Sequence, residues 1–484
     1  MTPSLTERLK RDALEQEIVI LQEQYKAISE QIQLELDSAR KVILERKRGS
    51  LESQIRDLEE QVNNLGHQLN LKNPSPNGPD DFIVIQLQLI HRSDHIEVRS
   101  ILVPRGGQPK ETTLTPFERD EIPAIQKALD IGGFDEKRFK PEYKTILEKH
   151  GGLIQGQLRP DFIKMIGIKL FKTLFSGTLL TELEFAKQSH QPIICQIIFD
   201  PEDVDLIQYP WELIHDGSVH LQLVNDLFEM SRLIAFDKPP SRFSGSFPLR
   251  MLFINPRPKN ESLPLDSAEK EAILGVLKPL RDSGKLIWEE LNPCTWENFR
   301  GTIAMKPFHL IHFDGHGSFE RICPSCGLAH FPSMQKCERC GVSMIAETPK
   351  GYLHFEEDGG SERIDRVGVD DIKTVLNNTH IRLVVLSACK TALSSRDDLF
   401  SGLGPALIQA GIPGVVAMQG SPSLSSMSDF VACFYDELIK GKRLSTAVNV
   451  GRMKIMRDKP SAWFMPVVYL RSSDKTYGQL FSGG

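Results

Sequence analysis

Apolar positions near the N-terminus step by four and three: Leu14, Ile18, Leu21, Tyr25, Ile28 and Ile32, with the frame running on to Ala39 and Val42. Leu51, Ile55, Leu58, Val62, Leu65 and Leu69 repeat the alternation in a shifted frame. Residues 4–72 hold no proline and one aromatic, Tyr25. Sustained heptads with polar faces rich in Glu, Lys, Arg and Gln predict a protruding coiled coil over 1–72. The frame shifts at Gly49-Ser50, where glycine can end a helix and serine can cap the next, so a helical hairpin is expected there. One long helix with a skip, or a helix pair packed on its own globular body, are the alternatives. KNPSPNGPDD (72–81) is a linker by composition.

Beyond it the period changes to two. DFIVIQLQLIHRSDHIEVRSILV predicts a β-hairpin turning near Ser93-Asp94. Helices are expected around 116–130 and 162–189, a buried strand at IICQIIFD, then YPWELIHD and a further hairpin reaching about residue 236. Together 80–245 reads as an α+β subdomain, closed by the linker PPSRFSGSFP. From 246 to 484 short apolar runs alternate with helical stretches. LRMLFIN, KLIWEEL, FHLIHFD, RLVVLSA, GVVAM and WFMPVVYLR are the strands, with helices near 266–283, 294–305, 402–411, 425–440 and 445–457. Continuous apolar strands with helical crossovers predict a mostly parallel sheet covered on both faces, an α/β/α sandwich. In such sheets, sites gather at the carboxyl ends of the strands.

At roughly 150 residues per domain, 484 residues suggest about three domains. The 40% hydrophobic content argues against a mostly disordered chain, and a net charge of -6 gives no sign of a whole-chain polyanion binder. No apolar run nears the ~18 residues that span a bilayer, and the charged N-terminus lacks a signal-peptide core. A cytoplasmic protein with no membrane segment is therefore expected. Cysteine usage agrees: four of the eight form two C-x-x-C pairs, while Cys195, Cys294, Cys389 and Cys433 stand singly. That pattern fits metal ligands and free thiols rather than a disulfide framework.

Two predicted strands end in residues capable of nucleophilic catalysis. FHLIHFDGHG ends at His316-Gly317, and RLVVLSACKT ends at Cys389. A cysteine hydrolase needs a thiolate and a base that later protonates the leaving amine, and imidazole titrates in the range for both tasks. Gly315, Gly317 and Ala388 would admit substrate backbone, and the N–H groups of Gly317 and Cys389 could form an oxyanion hole. Spacing alone leaves the alternative open that both residues are structural.

The residues HLIHFDGHG and VVLSACKTA, with LPLDSAEKEAI, YPWELIHDG and FVACFYDELIKGKRLSTAV, resemble the CHAT peptidase family, caspase-like cysteine proteases related to separases and metacaspases. The resemblance covers roughly 160–470. It implies a caspase-like fold, His316 as base and Cys389 as nucleophile. His312 lies on the same strand face and is the main competitor for the base; His309 is expected to be structural. Two positions depart from the family habit: Lys390 follows the cysteine where an acidic residue is common, and Gln419-Gly420-Ser421-Pro422 replaces a tryptophan-containing segment. Both touch expected substrate-binding loops. Asp314, Asp397 and Asp398 are candidates for a pocket that takes a basic side chain, with surface solvation the alternative for the last two.

Cys323, Cys326, Cys337 and Cys340 form C-x2-C-x10-C-x2-C. Four thiolates at this spacing predict a structural zinc ribbon at about 320–345, with His330 not a ligand because four sulfurs complete the shell. The ribbon begins seven residues after His316. It precedes GYLHFEEDGGSERI, a hairpin that the family shows directly after its His-Gly loop, so it is an insertion at the rim of the site. Only Lys336 and Arg339 are basic between its cysteines, and Phe331 is its one aromatic, which disfavours nucleic-acid binding. FSGLGPALIQAGIPG (400–414) lacks the Gly-Lys-Ser/Thr end of a phosphate loop.

The expectation is a cysteine endopeptidase acting on protein substrates. A regulatory protein partner or self-association through the coiled coil would restrain it. The resemblance implies a role in prokaryotic conflict, including antiviral defence, or in programmed cell death. The competing expectation is a non-catalytic scaffold that assembles a complex through the coiled coil and the ribbon.

Overall fold

The structure is a computed structural model. Between 82 and 481 it describes all residues but 93–94, 119, 132–138, 201–203, 224–226, 237, 239–246, 259–266, 331–333, 348–349, 360–363, 378, 388–402, 420–423 and 459–461. Of residues 1–81 it describes 21, 24, 28, 40, 41, 44–52 and 54, all helical. The chain forms two compact units, Met1–Asp81 and Phe82–Gly484. The expected linker 72–81 lies outside the described residues.

In the first unit Ile28 and Leu51 are buried in one cluster, with Leu21 and Leu44 packed against it. A straight helix rises 1.5 Å per residue, which would hold Ile28 and Leu51 about 35 Å apart. The two helical stretches therefore lie side by side, and the single-helix alternative falls. The reversal is not where the heptad frame breaks. Gly49 and Ser50 are helical and exposed. Leu44 and Leu51, one heptad apart, share the buried face across them. A mid-helix glycine costs about 1 kcal/mol, a local penalty that burial of the apolar face overrides.

In the second unit, β1 (Ile83–His91) and β2 (His95–Leu102) form the expected hairpin, and β3 (Lys110–Leu114) extends it. α1 (Ile122–Ile131) and α2 (Pro141–Lys149) follow; α2, unforeseen, starts on a proline, as first-turn positions allow. A short ladder joins β4 (Leu153–Ile154) to β5 (Gln157–Leu158). The helix expected over 162–189 is two, α3 (Phe162–Leu174) and α4 (Gly177–Gln188). Next come β6 (Ile193–Phe199), α5 (Val204–Gln208) and β7 (Phe228–Ile234). The hairpin expected before residue 236 is reduced to a bridge between His215 and His220, and β7 instead pairs in parallel with β6.

The rest runs β8 (Leu249–Ile254), α6 (Ser267–Asp282), β9 (Leu286–Glu290), α7 (Trp296–Met305), β10 (Leu310–Asp314), β11 (Gly317–Ile322), β12 (Ala329–His330), β13 (Lys350–Glu356), β14 (Ile364–Gly368) and α8 (Val369–Leu376). It closes with β15 (Leu383–Ser387), α9 (Leu403–Gln409), β16 (Gly414–Met418), α10 (Leu424–Ile439), α11 (Leu444–Asp458) and β17 (Pro466–Arg471).

One sheet holds eleven of these strands, in the order β3-β2-β1-β6-β7-β17-β16-β15-β10-β8-β9. It crosses the boundary expected at 245, and the hydrophobic core is continuous across it. β8, β9, β10, β15 and β16 are mutually parallel, and β17 pairs antiparallel with β16. From β8 the chain goes outward to β9, then back past β8 to β10, β15 and β16. Right-handed crossovers put α6 on one face and α7, α8 and α9 on the other. Contacts agree: α6 packs on α10 and α10 on α11, while α8 meets α7 and α9. This is the expected three-layer sandwich. The reversal of strand order lies between β8 and β10, so the crevice at their carboxyl ends is where such a sheet binds a ligand.

A candidate active site at the carboxyl ends of β10 and β15

β10 (LIHFD) and β15 (LVVLS) are wholly buried neighbours, with Asp314 opposite Ser387 and His312 opposite Val385. Their last backbone bond runs from Gly315 N–H to Ser387 O, at 3.2 Å. His316 comes next, 2% exposed. Its carbonyl accepts from His354 N–H on β13 at 3.0 Å, and the His354 ring Nε2 lies 2.9 Å from Ser318 Oγ. A Cβ on Gly317 would sit 2.9 Å from Tyr352 O, so the close approach of β13 requires glycine there. Because the His316–His354 pair takes the ladder hydrogen bond, alternation turns the Gly317 N–H away from β13.

The competing base is excluded by its surroundings. His312 is fully buried, stacked on Phe253 with centroids 5.3 Å apart. Its Nδ1 lies 2.9 Å from Tyr435 Oη and its Nε2 2.9 Å from Ser387 Oγ. Burial pushes its pKa down to about 3, so it stays neutral. His309 sits at the other end of β10, where its Nδ1 accepts from Arg250 N–H at 3.2 Å, consistent with a structural role.

Asp314 corrects an expectation. Its side chain is fully buried, accepting from Asn255 Nδ2 at 2.6 Å through Oδ2, with Oδ1 3.4 Å from Ser387 Oγ. It serves its neighbours rather than a solvent-facing pocket. Ala388, Cys389, Lys390, Asp397 and Asp398 lie outside the described residues. Gln419 also faces inward. It donates to Glu212 at 2.8 Å and to Phe464 O at 2.8 Å, and Glu212 is ion-paired with the buried Arg232. The YPWELIHD segment is thus tied to the end of β16. Two contributors went unforeseen. Asn255 ends β8, and Glu356 ends β13, its carboxylate accepting from Arg257 N–H at 3.0 Å and Cys294 N–H at 3.1 Å. A polar residue closing an apolar strand run was the available signal for Asn255.

The four ribbon cysteines converge, their sulfurs all within 4.8 Å of one another. Cys323–Cys340 and Cys326–Cys337 are each 3.5 Å apart. Sulfurs about 2.3 Å from a tetrahedral zinc lie about 3.8 Å from one another, so the set fits a metal of that kind. His330 Nε2 is 3.3 Å from Cys337 Sγ, an outer partner to a ligand rather than a fifth one. Partial burial works against ionising Cys337, but N–H groups of Cys340 and Arg339 and the His330 hydrogen bond bring its thiol down to about 5. The ribbon grows directly from β11. Arg321 pairs with His330, and its guanidinium donates to Met334 O at 3.2 Å and Met344 O at 3.0 Å. No helix among the described residues is long and apolar enough to cross a membrane.

A sequence model of the CHAT domain matches residues 165–473, and one of effector-associated domain 9 matches residues 4–65. No curated protein matches the chain. Similar solved structures include the Arg-specific cysteine proteinase gingipain R, at 12% identity and a TM-score of 0.35, covering 67% of this chain and 76% of that one. The Saccharomyces cerevisiae separase in its complex with securin is similar at 11% identity and a TM-score of 0.41, covering 81% of this chain and 30% of separase. The pro- and mature domains of the Porphyromonas gingivalis gingipain give 13% identity and a TM-score of 0.37, covering 69% and 77%.

Proposed function

The chain belongs to the CHAT domain family, and from that premise we propose that it is a cysteine-type endopeptidase using Cys389 and His316. The observation that carries this is the pairing of β10 with β15. The two strands run parallel and in register beside the crevice, His316 follows one, and Cys389 stands two residues after the end of the other.

His316 takes the thiol proton, and the Cys389 sulfur attacks the scissile carbonyl carbon. The resulting oxyanion accepts from the N–H groups of Gly317 and Cys389. Imidazolium then protonates the amine as the C–N bond breaks, leaving a thioester. Water, losing its proton to His316, hydrolyses the thioester and restores the thiol. Asp397 and Asp398 remain candidates for binding a basic substrate side chain.

Cys323, Cys326, Cys337 and Cys340 would hold a zinc ion. A complete thiolate shell has no open position for water, so the ion supplies rigidity, not catalysis. The N-terminal unit, matched by the effector-associated domain model, is proposed as a helical-hairpin docking element for a regulatory partner or a second copy. The protein is proposed to act in the cytoplasm, in prokaryotic defence or programmed cell death.

The test is covalent labelling with a thiol-reactive peptide electrophile, with a search for newly formed protein termini in the native host. Wild type should label and generate termini, and Cys389→Ala should do neither. Equal labelling of the two proteins would leave the scaffold alternative standing.

A further inference from the structure

A row of polar side chains crosses the core just beneath the crevice. Tyr435 on α10 meets His312 Nδ1, and His312 Nε2 meets Ser387 Oγ, both at 2.9 Å. Ser387 Oγ lies 3.4 Å from Asp314 Oδ1, and Asn255 Nδ2 donates to Asp314 Oδ2 at 2.6 Å and to its carbonyl at 2.8 Å. Tyr435, His312, Ser387 and Asp314 are each 0% exposed. A carboxylate only accepts, and that fixes one direction for the whole chain. Tyr435 O–H donates to Nδ1, Nε2–H donates to Ser387 Oγ, and the serine hydroxyl donates to Asp314. One neutral histidine tautomer satisfies every member.

Buried polar rows are seldom the most stabilising choice, since apolar residues of similar shape often do as well. A fully satisfied network does, however, fix its members in one arrangement. Its place here gives that arrangement a use. The backbone ladder between β10 and β15 stops at Gly315 and Ser387. Asp314 stands two residues before His316, and Ser387 two residues before Cys389. Beyond these two side chains the paired strands have no further ladder bond.

We propose that Ser387 is a positioning residue: by joining His312 to Asp314 it pins the end of β15 to the end of β10 and so sets the candidate nucleophile against the candidate base. The proposal rests on the peptidase reading above. Ser387 is itself too buried to meet substrate and acts only through the strand ends.

The experiment uses the full chain. Wild type, Ser387→Ala, Ser387→Thr and Cys389→Ala are compared in thermal midpoint and in the rate of alkylation by a peptide chloromethyl ketone across pH 6 to 9. Ser387→Ala should label at least about tenfold more slowly, because small misplacements at a reacting centre cost rate steeply. Its pH profile should also move. Ser387→Thr, which keeps the hydroxyl, should recover most of the rate and the wild-type profile. Wild-type rate and profile in Ser387→Ala would overturn the proposal. So would equal losses in the alanine and threonine variants, or the unfolding of both, which would make the row a packing or stability element. If wild type labels no faster than Cys389→Ala, the peptidase reading itself falls and the positioning role falls with it.

Discussion

At the residue scale, the question is which of two histidines moves protons. His312 is sealed between Tyr435, Ser387 and Phe253, whereas His316 follows the strand at the crevice. Replacing a general base typically costs roughly 10²–10⁴-fold in rate. His316→Ala and Cys389→Ala should each remove cleavage to at least that extent, and the double variant should be little worse than either single one, because members of a dyad act together. Near-normal turnover in His316→Ala would show the base to be elsewhere. His312 has its own signature, in stability. Its pKa is depressed from 6.5 to about 3 in the folded state, so between those values the unfolded chain binds the proton and the folded one does not. The stability linked to this residue is present above pH 6.5 and is lost as pH falls toward 3. Between pH 7 and pH 5, wild type should therefore lose more of its melting temperature than His312→Gln does. Parallel losses would mean that His312 is not held neutral.

At the scale of elements, β11 links the site to the ribbon, starting one residue after His316 and ending one residue before Cys323. Elemental analysis should find one zinc per chain, and Cys323→Ser with Cys337→Ser should abolish it. Purified wild-type protein free of metal would refute the assignment. The ribbon has its own small cluster of Cys323, Cys337 and Met344, separate from the main core. β11 pairs with β13 over Gly317–Glu320, before the ribbon begins. Excising 324–349 should therefore leave the main sheet folded, by circular dichroism and cooperative melting, with altered selectivity toward protein substrates. Loss of cooperative unfolding would show that the ribbon is needed to build the catalytic loop.

At the scale of the molecule, the division falls at residue 81 and not at 245. β1, β6 and β7 lie in the same sheet as β10 and β15, so no cut near 245 could yield an independent catalytic domain. A cut before Phe82 severs neither a strand nor the core. A chain lacking residues 1–75 should stay folded and keep dyad labelling by a small electrophile, while cleavage of its natural protein substrate becomes lost or unregulated. If that truncated chain unfolds, the helices belong to the enzyme's stability and the regulatory reading fails.

What could be read locally came from the sequence. The alternation of apolar strands and helices from 249 onward, the His-Gly and Ser-Ala-Cys strand ends and the ribbon spacing are all patterns within a few residues of one another. Period and ligand spacing act at that range, and each of the six strands foreseen there formed. What the sequence left open depended on distant partners. Gly49-Ser50 stays helical because Leu44 and Leu51 are buried against Leu21 and Ile28. β7 abandons a hairpin for a parallel place beside β6 and β17. Asp314 turns inward because Asn255, 59 residues away, meets it, and His312 leaves the contest for the base because Tyr435, 123 residues away, closes over it. A carboxylate or an imidazole takes its role from the groups that surround it, and only the folded chain brings those groups together.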